Sequence, residues 1–137
     1  FIRDPKEIIF SYSKVIKSPK MSDIGVKMQF DLFNYLEKSN SKAIVLDSKY
    51  LLKNPSEILK TLCDMIDIPY FEDMLEWERG PKEEDGVWAK YWYDNVHDST
   101  SFLPYKKKDI HLTKDLESLY QECLPYYNFL TEKSIKT

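Results

Sequence analysis

The chain opens with a short apolar run, Phe1-Ile2, that ends in Arg3 and then changes period. Ile8, Ile9, Tyr12, Val15 and Ile16 recur at helical spacing, with Asp4 a suitable N-cap and Pro5 a suitable first helical residue. The segment therefore predicts strand, turn, helix. Lys17-Ser18-Pro19-Lys20 breaks the pattern, and Ser22 or Asp23 can cap a second helix running to about Lys38. Ile24, Met28, Leu32, Tyr35 and Leu36 fall on one side of it, Val26, Phe30 and Phe33 on the other, which predicts a helix sandwiched between layers. Ala43-Ile44-Val45-Leu46 predicts a short buried strand.

The cleanest helical pattern follows. Asn54 stands at the N-cap, Pro55 is the first helical residue, Glu57 completes a capping-box-like pattern, and Ile58, Leu59, Leu62, Met65 and Ile66 form one stripe. Ile68-Pro69 ends it, and a short helix around 72–77 is expected next. Residues 78 to about 104 have no clear period, and a stretch that long inside a compact domain is usually functional or mobile. A last helix starts near Thr113 with Leu116, Leu119, Tyr120, Cys123 and Leu124 on one face, and Pro125 is expected to close or kink it.

Two candidate strands separated by helices can pair only in parallel. Parallel sheets are nearly always multi-stranded and covered on both faces, which two short strands cannot supply. The expected fold class is therefore α/β: the C-terminal, helix-rich part of a larger parallel-sheet domain, cut at or just before a strand.

Composition narrows the function classes. A chain of 137 residues makes one domain at most, and a hydrophobic share of 42% is enough for a packed core rather than disorder. Net charge is -3, from 20 basic and 23 acidic residues that are interspersed, so no basic stripe points to nucleic acid. Lys106-Lys107-Lys108 is the one basic cluster and reads as a solvated loop. Cys63 and Cys123 sit on apolar helix stripes and in no CxxC pair, so they read as reduced core thiols rather than zinc ligands. Pro55 blocks the sequon at Asn54; with the reduced thiols this favours a cytoplasmic setting. No apolar run reaches membrane-spanning length. His97 and His111 read as solvated loop residues.

The candidate chemistry begins at Arg3. A planar five-donor cation, the free N–H groups of a helix N-terminus, and the Ser11 hydroxyl at the margin of the apolar stripe together suit a phosphate. An arginine with a serine eight residues on resembles the sulfotransferase segment that grips the 3′-phosphate of the sulfuryl donor, 3′-phosphoadenosine 5′-phosphosulfate (PAPS). The strand, loop and Asn-Pro-capped helix at 44–68 is similar to the corresponding segment of that family. There a Tyr-Glu-Asp triplet often follows the strand; here Ser48, Lys49 and Tyr50 stand in its place, and Ser48 cannot replace an aromatic that stacks on the adenine. Arg79-Gly80-Pro81-Lys82 followed by Gly86-Val87-Trp88-Ala89-Lys90 resembles a late loop that closes over the donor. By that resemblance Arg79, Gly80 and Lys82 become further donor contacts. Trp88, Tyr91, Trp92 and Tyr93 either cover a base or an acceptor ring or anchor the loop on the core. The wording of this stretch looks most like a divergent sulfotransferase-like branch, some of whose members bear aminotransferase-like names; nothing in the residues supports pyridoxal chemistry.

The matches cover residues 1–104 of a single partial domain, 1–137, in which 105–137 adds a C-terminal helix and tail. The resemblance implies a three-layer, P-loop-like parallel-sheet fold and PAPS, or its product PAP, as donor co-substrate with no metal. It also implies sulfuryl transfer to a hydroxyl or amine of an unknown small-molecule or polymer acceptor. The loop that holds the 5′-phosphosulfate and a catalytic base are not among these residues, so the catalytic groups stay unassigned. Two readings compete: a non-catalytic remnant that holds nucleotide or a helical partner, and another P-loop-type nucleotide-transfer domain such as a nucleoside kinase.

Overall fold

Extended backbone from three distant parts of the chain meets along one line. A computed structural model describes residues 1–87 and 89–137, and in it Ile2 pairs in parallel with Asp47 while Val45 pairs in parallel with Ser134. The Ile2 N–H donates to Leu46 O at 2.7 Å, the Ser48 N–H to Ile2 O at 2.9 Å and the Ile135 N–H to Val45 O at 3.0 Å. The segment around Val45 is thus central, with the chain start on one side and the residues after the last helix on the other. The strands expected at 1–2 and 43–46 shrink to these isolated bridges among the described residues, because each pairing spans only a residue or two. Their parallel sense is as expected.

Side chains of an extended segment alternate between faces, and here the alternation separates two cores. Val45 joins Ile2, Ile9, Ile24, Val26, Leu119, Cys123, Tyr127 and Leu130 on one side. Ile44 and Leu46 pack with Leu51, Ile58 and Ile135 on the other. The first core is covered by α1 (Pro5–Tyr12), α2 (Met21–Ile24), α3 (Val26–Lys38) and α8 (Lys114–Lys133); the second by α4 (Ser48–Lys53) and α5 (Pro55–Met65). A 3-10 turn at Glu72–Leu75 and the short helices α6 (Ala89–Trp92) and α7 (Asp94–His97) complete the order. Among the described residues no helix is long and apolar enough to cross a membrane.

Several boundaries differ from expectation. α1 begins as expected, the Asp4 carboxylate accepting from the Lys6 N–H at 2.8 Å with Pro5 at the first position, but it ends at Tyr12, leaving Val15 and Ile16 exposed. The second predicted helix is broken at Gly25, whose φ of 77° ends α2 in the left-handed conformation before α3 restarts. The expected sandwich is filled on one side only: Phe30 and Phe33 pack edge-on against Tyr126 and Phe129 of α8, whereas Met28, Leu32 and Tyr35 are exposed. Asn54 precedes α5 without a side-chain capping bond, because α4 runs directly into it. α8 continues through Pro125, which lies on its exposed side. The aperiodic stretch contains α6 and α7 and is tied at its base by an antiparallel bridge between Glu76 and Ser101. Cys63 and Cys123 are free and buried, as expected.

Candidate functional site

Arg3 and Ser48 each follow directly on a paired extended segment, at its carboxyl end. In parallel α/β arrangements ligands bind in the crevice outside those ends. Here the crevice is a cleft of about 640 Å³. Phe1, Leu52, Val96, Leu103 and Pro104 give it apolar walls, while Arg3, Ser48, Tyr105, Lys106 and Lys108 give it polar ones. Three cations face one lining carboxylate, Glu7, on a chain that is acidic overall. The field inside is therefore suited to an anion.

Arg3 is held, not loose. Its Nη2 and Nε donate to Glu7 Oε2 at 2.6 and 2.9 Å, with the Arg3 side chain 42% exposed and Glu7 only 13%. Glu7 and Ser11 stand four residues apart on α1, whereas Arg3 precedes its N-cap, and Ser11 is not among the residues that line the cleft. Ser11 is exposed in the last turn. Burial, and after it the carboxylates of Glu7, Asp4 and Asp47, raise the Tyr105 phenol above its ordinary range, so its hydroxyl stays neutral beside the cleft.

The predicted donor-closing residues lie elsewhere. Arg79 donates from Nε and Nη2 to Asp98 O at 3.2 and 3.0 Å, and the Gly80 N–H donates to His97 O at 2.9 Å, which fastens this segment to the end of α7. Gly80 has φ 109°, a backbone state that side chains disfavour, so glycine is required there by the turn itself. Lys82 Nζ lies 3.4 Å from Glu78 Oε2, and its N–H donates to Asp85 Oδ2 at 2.8 Å. Asp85 also meets His97 Nε2 at 2.8 Å. The Lys82 N–H, and next the His97 ring, hold the Asp85 carboxyl below the usual carboxylate range. His97 is consequently a half-buried partner rather than a solvated residue; His111 is exposed. None of Arg79, Gly80 and Lys82 lines the Arg3 cleft; α7, to which they are tied, supplies one of its walls through Asn95 and Val96. Trp88 lies outside the described residues, as do the side chains of Tyr91 and Trp92, while Tyr93 packs edge-on against His97.

Two features were missed by sequence reasoning. Lys106 and Lys108 line the cleft although their run looks like a solvated loop; only the fold brings residues 103–108 across the start of α1. Asp47 is completely buried, accepting from the Lys49 N–H at 2.9 Å, Tyr127 Oη at 2.9 Å and Thr131 Oγ1 at 3.2 Å. It joins the central segment, α4 and α8 one residue before Ser48. An acidic residue directly after an apolar strand was the available signal. Among the described residues no group of three metal-ligating side chains converges.

Residues 1–134 match the sulfotransferase domain family. Branched-chain-amino-acid aminotransferase-like proteins 1 and 2 of Arabidopsis thaliana are 36% and 33% identical to the chain over 129 residues. The aligned part is 94% of this chain and 23% of each relative, so the chain spans less than a quarter of the length of the curated relatives it matches. No solved structure matches.

Proposed function

The chain belongs to the sulfotransferase domain family, and from that premise we propose that it forms the donor-binding part of a sulfotransferase that moves a sulfuryl group from PAPS to a hydroxyl or amine acceptor. The observation that carries the reading is the position of Arg3: a guanidinium at the carboxyl end of a parallel-paired segment, at the start of a helix, facing a cationic cleft. The pairing of three extended segments between two helical cores supports a three-layer, P-loop-like parallel architecture for the complete domain.

Sulfuryl transfer, like phosphoryl transfer, is mainly positioning plus stabilisation of charge on the oxygens in flight. In this reading Arg3 and Ser11 grip the 3′-phosphate and the apolar walls exclude water from the nucleotide; the first N–H groups of α1 add nothing, since Pro5 has none and those of Lys6, Glu7 and Ile8 already donate to Asp4. The reacting sulfuryl group is handled by groups other than these. The relatives' aminotransferase-like name is no guide to this segment, since the part they share with this chain is the sulfotransferase domain.

Calorimetric titration with PAP and with adenosine 5′-phosphate tests the proposal. A charge-assisted bond from Arg3 contributes about 1.5–3 kcal/mol and a neutral one from Ser11 about 0.5–1.5 kcal/mol. Arg3→Ala should thus weaken PAP about ten- to a hundred-fold and Ser11→Ala about two- to ten-fold. Both losses should nearly vanish for adenosine 5′-phosphate, which lacks the 3′-phosphate. Equal weakening of both nucleotides, or binding indifferent to the 3′-phosphate, sinks the reading in favour of another nucleotide-transfer domain. PAP binding without turnover in the protein that carries this domain would favour the remnant.

A further inference from the structure

We propose that Lys106 and Lys108 form the second cationic wall of the donor cleft, the part that family resemblance would give to Arg79 and Lys82; this rests on the donor-binding reading of the same cleft. Lys106 and Lys108 line the same cleft as Arg3, both are exposed, and neither makes an ion pair among the described residues. They are therefore cations whose charge is available to an incoming anion at little desolvation cost. Arg79 and Lys82 differ on both counts: they lie outside the cleft, and their side chains are engaged by Asp98 O and Glu78. Tyr105, with its neutral hydroxyl, stands beside the lysines in the same lining.

The neighbour between the two lysines supplies an internal control. Lys107 lines not this cleft but an adjoining cavity of about 350 Å³, which it shares with the acidic side chains Asp4, Glu7 and Asp109. Lys108 lines both spaces, while Lys106 faces the donor cleft alone. A general attraction of the basic run for nucleotide would weigh all three lysines alike. A built wall weighs only the two.

The test is titration of the protein that carries this domain with PAP, using Lys106→Ala/Lys108→Ala, Lys107→Ala and Arg79→Ala/Lys82→Ala, with Arg3→Ala alongside. Exposed lysine–phosphate contacts contribute modestly, so the Lys106/Lys108 pair should weaken PAP by about three- to thirty-fold. Lys107→Ala and the Arg79/Lys82 pair should each change it by less than about two-fold. The double lysine variant should also show a shallower fall of affinity with ionic strength. These substitutions are exposed and should leave the urea midpoint nearly unmoved, which separates lost contact from lost fold. The inference is overturned if Lys107→Ala costs as much as the pair, or if the Arg79/Lys82 variant costs more. An intact loss for Arg3→Ala with none for the lysine pair overturns this inference alone; absence of PAP binding by the unmodified protein that carries this domain overturns it together with the donor-binding reading.

Discussion

Removing the Asp47 carboxylate should be the most damaging single polar change in the molecule. Asp47 is fully buried and accepts three hydrogen bonds, from the Lys49 N–H, the Tyr127 hydroxyl and the Thr131 hydroxyl. Tyr127 is itself 8% exposed, and burial first, then the Asp47 charge, push its phenol well above the ordinary range, so it is a committed neutral donor. Asp47→Ala takes the carboxylate acceptor from the Tyr127 hydroxyl, the Thr131 hydroxyl and the Lys49 N–H; the two hydroxyls can still meet each other, so about two orphaned donors at about 1–3 kcal/mol each give a loss of about 2–6 kcal/mol. Asp47→Asn keeps an acceptor for Lys49, and its amide can donate to either hydroxyl, so the loss should fall to about 1–2 kcal/mol. Tyr127→Phe removes one charge-assisted bond, about 1.5–3 kcal/mol. Urea unfolding measures all three, with an unchanged slope as the check that the unfolded state is the same. If Asp47→Ala proves too unstable to purify, Asp47→Asn, Tyr127→Phe and their double variant form the cycle. Non-additivity near 1 kcal/mol is expected for residues in contact. Full additivity with small single losses would refute the account of Asp47 as the joint between the central segment and α8.

Glu7→Gln should release Arg3 and raise PAP affinity about two- to five-fold by calorimetry, while costing little stability because the Arg3 side chain is 42% exposed; weaker binding would show that Glu7 aims Arg3 rather than competing with the ligand. Burial pushes the Cys123 thiol from 9.0 to about 11, so the folded state holds its proton more tightly than the unfolded one. The corresponding stability is present below pH 9.0 and is lost as pH rises towards about 11; native Cys123 should also resist alkylation at pH 8 until urea unfolds the chain, and rapid native labelling would contradict its burial. The Asp85 carboxyl is depressed below 3.8, so its tie to the Lys82 N–H and His97 should persist above that value and fail as pH drops below it. Earlier loss of amide protection at residues 79–99 than in α8 on acidification is the expected hydrogen-exchange result.

Local chemistry made much of the fold readable. Asp4 and Pro5 start α1 where a capping carboxylate and a fixed φ require it, and Pro55 starts α5 for the second of these reasons. What periodicity could not supply were effects decided at single backbone positions or by distant packing. Gly25 breaks an otherwise continuous apolar pattern because it alone adopts the left-handed state there. The third parallel partner, Ser134, belongs to a polar tail with no strand pattern of its own and pairs only because α8 delivers it to Val45. Val15 and Ile16 carry helical spacing but have no core left to meet once the chain turns after Tyr12.

The site divides along the same line. The surroundings expected of Arg3 were local, and the structure places it between a paired extended residue and the Asp4–Pro5 start of α1, with Glu7 as its partner and Ser11 outside the cleft. Arg79 and Lys82 illustrate the opposite case: their residue types fit a phosphate, yet local partners within a few residues or one short helix already satisfy them. Lys106 and Lys108 complete the contrast, since nothing near them in sequence suggests a site, and they gain one only where 103–108 passes Arg3. A cation's type is a local property, whereas the vacancy of its hydrogen-bonding capacity is a tertiary one. For an anion cleft the second property counts beside the first, so Lys106 and Lys108 belong in the same mutant series as Arg3, whose own capacity is shared with Glu7.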